Sequence, residues 1–76
     1  RMAAWALGEI ESSSAVRHLT PLLNDADADV RAVTAWALGS IESLSALPAL
    51  EAAKDDRAAS VRRAVQWAIA QIDDRR

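Results

Sequence analysis

No cysteine occurs anywhere in the chain. Disulfides, thiolate metal sites and a cysteine nucleophile are therefore excluded, and the composition fits a reducing, cytoplasmic setting. Phenylalanine and tyrosine are missing too, so three tryptophans are the whole aromatic supply. Histidine appears once. No apolar run approaches the roughly 20 residues needed to cross a bilayer, and nothing resembles a signal peptide, so no membrane role is expected. Nor is there a basic excess: the net charge is −2 with signs mixed, which argues against a nucleic-acid partner. The chain has 76 residues, enough for one domain or part of one. A globule of that size buries only about 60% of its unfolded surface and is marginal alone. What it has in quantity is alanine, 18 residues, which favours helix.

The arrangement of the tryptophans is more informative. Ala35-Trp36-Ala37-Leu38-Gly39-Ser40-Ile41 has an earlier copy, Ala4-Trp5-Ala6-Leu7-Gly8-Glu9-Ile10, and a later one, Gln66-Trp67-Ala68-Ile69-Ala70-Gln71-Ile72. The tryptophans stand 31 residues apart both times, and residues 1–31 laid over 32–62 give 15 identities without a gap. Such a period marks a solenoid, whose units cannot bury their apolar faces alone. Arg1 aligns with Ala32 and Arg63, inside the tryptophan-bearing helix. The chain thus opens mid-unit and reads as a piece of a longer array or as a trimmed chain. It divides into a half unit (1–11), a full unit (12–41) and a full terminal unit (42–76).

Within that frame, residues 1–11 read as the remainder of a helix, followed by a turn at Ser12-Ser13-Ser14 with Ser14 as N-cap. A second helix is expected over Ala15–Asn24, apolar at Val16, Leu19, Leu22 and Leu23 and kinked at Pro21. Asp27 is the expected N-cap of a third helix ending near Ile41. Its core face is predicted to be Val30, Thr34, Ala37, Leu38 and Ile41, with Val33 at the edge. Ala35 and Gly39 lie on another side and leave room for a neighbouring helix, as Gly8 does in its copy. Ser43-Leu44-Ser45 repeats the serine turn. A fourth helix, Ala46–Lys54, carries Pro48 in its first turn and Leu47 and Leu50 in the core. Ala53 and Lys54 replace a leucine pair there, so it buries less. The last helix runs from Ala59 to about Asp73, with Ala58 a weaker cap than Asp27. Gln66 and Ala70 suit an outer side that meets water.

Together, the opening Asp25-Ala26-Asp27-Ala28-Asp29-Val30-Arg31 and the closing Ala35–Ile41 segment resemble HEAT repeats. The short class named after phycobilisome lyases, also the template for artificial alpha-helical repeat libraries, is the most similar. The resemblance covers essentially the whole chain and implies an all-α, right-handed α-solenoid of stacked antiparallel helix pairs with a 31-residue period. It also implies a ladder between units, formed by an aspartate in each inter-helix turn and an arginine six residues later. The matching positions are Asp25 with Arg31 and Asp56 with Arg62, where carboxylates facing guanidinium forks fix the stacking register. Two features depart from the family: Glu11, Glu42 and Asp73 stand where glycine is usual, and Ala28 stands where proline is usual.

Partners of solenoids bind along the concave wall lined by the second helices. The helical angle count places Ala32, Val33, Trp36 and Ser40 on a stripe roughly 120° from the core centre. Their counterparts are Arg1, Met2, Trp5 and Glu9, then Arg63, Ala64, Trp67 and Gln71. Each tryptophan either covers the seam between adjacent helices or offers an aromatic surface to a partner. The expected role is a protein-interaction scaffold without catalysis, cofactor or metal. Self-association is a further expectation, since Met2, Ala3 and Leu7 would be exposed at an amino end without a polar cap. The alternative is an accessory component of a tetrapyrrole (bilin) lyase, in which a tryptophan ladder stacks a bilin. A nucleic-acid role would need a basic wall, and only Arg1 and Arg63 supply charge there. His18 reads as a surface residue. The Asp25, Asp27 and Asp29 cluster reads as capping, lacking the glycine and distal glutamate of a calcium loop. Ser12–Ser14 has no base nearby in sequence.

Overall fold

Proline, serine and aspartate divide the chain into short helices. A computed structural model describes residues 14–75, with side chains through 74. The half unit, with Arg1, Met2, Trp5, Gly8 and Glu9 of the expected strip and stack, lies outside the described residues. Residues 14–19 are α-helical (α1) and tighten into a 3-10 segment, Thr20–Asn24. At Pro21 the chain leaves α-helical geometry for this 3-10 segment, since the proline has no N–H to return to the Arg17 carbonyl. Ser14 already belongs to the helix rather than capping it. Val16 and Leu23 point inward, whereas Leu22 is 40% exposed.

Asp27 starts α2, Ala28–Ile41, by accepting the amide of Asp29 on its side chain. Asp25 accepts the amide of Asp27 in the same way, so two of the three clustered carboxylates are used on the backbone. The helix stops at Glu42, which takes the left-handed conformation (φ 57°, ψ 33°) and donates its amide to Leu38 and Gly39. Glycine would be the natural residue there. Ser43 caps a short 3-10 turn, Leu44–Ala46, from which α3, Leu47–Ala53, continues with Pro48 in its first turn. The last helix, α4, spans Ala59–Arg75, two residues longer than expected.

The described residues are helical and contain no strand, and the two tryptophan-bearing helices α2 and α4 lie against each other. The first helix of each unit packs on the second: the 3-10 segment on α2, and α3 on α4. Leu38, Leu50, Val61, Val65 and Ile72 are fully buried between these layers. On the outer side, Ala52 and Ala53 are too small to fill the gap, leaving a cleft of about 260 Å³ toward Leu23 and Asn24. No described helix is long and apolar enough to cross a membrane.

Ala35 and Gly39 meet a neighbouring helix as expected, but the predicted core face of α2 closes only in part. Ala35 and Gly39 are buried together with Arg31, Thr34 and Leu38, whereas Val30, Ala37 and Ile41 are half-buried and Val33 is 65% exposed. The reason is the stacking of α4. An ideal Cβ on Gly39 would lie 2.6 Å from the Trp67 ring, 2.7 Å from Ala68 Cα and 2.9 Å from Ala68 Cβ. Burial of α2 is therefore set by the next unit as much as by its own partner helix.

Candidate interaction wall

Repetition at 31 residues places Trp36 and Trp67 at equivalent points of α2 and α4. Their ring centroids are 4.4 Å apart and the planes are tilted by 49°. Offset or tilted ring pairs of this kind are favoured by the aromatic quadrupole. Trp36 is 45% exposed, while Trp67 is half-buried because its ring edge covers Gly39. The indoles thus cover the seam between the helices and keep one surface toward solvent.

Other wall positions separate by direction. Ser40 and Arg63 are exposed, and Ala32 and Gln71 are half-buried. Ala64 is fully buried and drops out of the expected strip. It belongs to the core packed between the helices. Val33, the equivalent residue of α2, is 65% exposed.

The ladder residues sit where α2 and the two inter-helix turns meet. Arg31 is 4% exposed, and its Nε and Nη2 donate to Asp56 Oδ2 and Oδ1 of the next unit at 2.9 and 3.2 Å. Nη1 donates to the carbonyls of Asp25 and Ala26, at 2.7 and 3.1 Å. A buried guanidinium is costly unless its donors are used, and here the fork and the turn carbonyls use them. Asp56 also accepts the amide of Ala58, and its backbone carbonyl accepts from Arg62. The Ala58 amide, then the Arg31 guanidinium, holds the Asp56 carboxyl below its ordinary value, outweighing the upward push of burial; Arg57 adds to the lowering. Asp25 faces its own turn, accepting from Asp27 while its carbonyl serves Arg31. Of these four residues Arg31 and Asp56 clamp one unit to the next, while Asp25 and Arg62 hold their own turns.

Among the described residues no group of three or more His, Cys, Asp or Glu side chains is placed to hold a metal ion. His18 is exposed, its Nδ1 2.8 Å from the Ser14 carbonyl. Thr34, a buried hydroxyl in α2, donates to the Val30 carbonyl one turn back. Sequence reasoning missed an apolar groove lined by Leu19, Leu22, Val30, Val33, Thr34 and Ala37, together with Asp29 at its edge, of about 350 Å³. The sequence carries a signal for it, since Val33 and its equivalent Ala64 are both apolar.

Comparison with known proteins agrees with the stacked, repeating geometry. No curated protein and no solved structure gives a match. The family model for HEAT repeats matches residues 1–70, nearly the full chain. The chain belongs to the HEAT-repeat family.

Proposed function

We propose that the chain is a non-catalytic interaction module that holds another protein along the wall formed by α2 and α4. HEAT repeats generally mediate protein–protein interaction. The carrying observation is the Trp36–Trp67 pair, seated across adjacent helices with Trp36 45% exposed. Large, stiff rings held in place lose little entropy on binding, and tryptophan is among the residues that dominate interface energies. Ser40 and Arg63 flank the pair with a hydroxyl and one positive charge.

The test is retention of partners on immobilised chain and on a Trp5→Ala/Trp36→Ala/Trp67→Ala variant that stays helical by circular dichroism. Loss of the retained proteins from the variant is expected. Equal retention by both would remove the indole wall as the binding surface.

A further inference from the structure

The outer cleft of about 260 Å³ lies between the first helices of the two units, and no residue of the indole wall lines it. Its origin is a departure from the repeat: Ala53 stands where the preceding unit has Leu22, so the bulk of a leucine is missing there. Inside, the cleft is apolar, with Leu23 buried and Ala49 and Ala53 half-buried. Polar groups come from Thr20, Asn24, Asp55 and Asp56. The Asp56 carboxylate is already used by Arg31 and the Ala58 amide. The side chains of Thr20, Asn24 and Asp55 are not: among the described residues no hydrogen bond or ion pair engages them. No cationic side chain lines the cleft, since Arg31 is held on Asp56 and Lys54 lies 3.7 Å from Glu51.

A carboxylate, a hydroxyl and an amide carbonyl without partners, set over an apolar floor, call for a ligand rich in donors and apolar along its length. Arginine has that form. Its guanidinium carries five N–H donors and no acceptor, its fork matches a carboxylate, and its stem lies flat on apolar surface. It is also more weakly hydrated than an ammonium, which suits a half-enclosed site better than lysine does. Anionic ligands would meet Asp55 and Asp56 with no cation left to receive them. The volume is below the roughly 300–1,000 Å³ of pockets that enclose a drug-sized molecule, so it fits one side chain. We propose that the cleft receives an arginine side chain of a partner protein, its guanidinium on the Asp55 carboxylate, with Thr20 and Asn24 as further acceptors and Leu23 and Ala53 beneath its stem. This site is separate from the indole wall and stands whether or not that wall binds a partner.

The test uses arginine capped at both ends, as N-acetyl-arginine-N-methylamide, titrated into the isotope-labelled full chain and followed by backbone amide chemical shifts. Its citrulline counterpart, neutral but nearly the same shape, is the control. The expected result is a saturable response centred on Ala49, Ala53 and Asp55, with the citrulline compound binding at least about ten-fold more weakly. Asp55 is exposed, so Asp55→Asn should fold normally and weaken the arginine compound by about ten-fold. Ala53→Leu, checked as helical by circular dichroism, should abolish the response by filling the cleft. Equal binding of the two compounds would overturn the proposal, as would unchanged affinity in Asp55→Asn. Shifts spread evenly over Asp27, Asp29 and Asp74 would show attraction to surface charge alone and overturn it too. Free arginine binding more tightly than the capped form would assign the cleft to the amino acid itself and equally overturn it.

Discussion

Replacing Gly39 by alanine sets two physical effects of known size against each other. Glycine inside a helix costs about 1 kcal/mol relative to alanine, so by propensity alone the substitution stabilises α2. Against this, the new Cβ lies 2.6 Å from the Trp67 ring and 2.7 Å from Ala68 Cα. Carbon atoms rest comfortably at about 3.5–4.0 Å, so relief needs a shift of roughly 1 Å. The indole has torsional freedom to give way, but Ala68 Cα is backbone and moves only if α4 moves. Overpacking of this kind costs about 1–3 kcal/mol, and a backbone collision belongs at the upper end. The net expectation is a loss of about 1–2 kcal/mol, which for so small a domain lowers Tm by roughly 10 °C. Urea unfolding followed by circular dichroism measures it, with exposed Ser40→Ala as a control that should gain a few tenths of a kcal/mol. If Gly39→Ala proved as stable as the parent, the close approach of α2 and α4 would be refuted.

Two further substitutions probe the ends of the same helices. Glu42 is a non-glycine residue in the left-handed region, a conformation costing roughly 1–2 kcal/mol, partly offset by the extra chain entropy of glycine. Glu42→Gly should therefore raise stability by about 0.5–1 kcal/mol, seen as a higher urea midpoint; a lower midpoint would show that the glutamate is held by something more than its backbone. Asp56 has its folded-state value below the ordinary 3.8, so its contribution is complete above that value and is lost as pH falls through the lowered one. Asp56→Asn should thus destabilise at pH 7, and the gap to the parent should narrow below about pH 4. A gap that widened in acid would contradict the sign.

Much of the fold is legible in the residues themselves. The tryptophan period gives the repeating unit, and Asp27 gives the start of α2, because capping is local chemistry that needs no knowledge of neighbours. Contacts between units are a different matter. The helical wheel places Val30, Thr34, Ala37, Leu38 and Ile41 on one face and leaves Ala35 and Gly39 for a neighbouring helix, which they meet, yet Val30, Ala37 and Ile41 are only half-buried. A single-helix pattern assumes one buried stripe, whereas a helix in a stack has a partner in its own unit and others along the array. Small residues carry the second contact, and alanine and glycine score weakly on any apolar pattern. Pro21 illustrates another limit: its sequence context predicts a bend, and the chain adopts a 3-10 turn that also accommodates the ring. Within the wall, Trp36 and Trp67 are legible from spacing, while the angle count puts Ala64 on the wall although packing against neighbouring helices buries it fully.

Register of stacking underlies both the wall and the outer cleft, and the Arg31–Asp56 clamp joins one unit to the next at 2.9 and 3.2 Å. A double-mutant cycle with Arg31→Met and Asp56→Asn, read by urea unfolding, isolates that pair from the other bonds each residue makes. Charge-assisted bonds in so buried a setting should give a coupling energy of about 1.5–3 kcal/mol. Additive effects, with coupling inside about 0.5 kcal/mol, would contradict the in-register stacking on which the proposed binding wall depends.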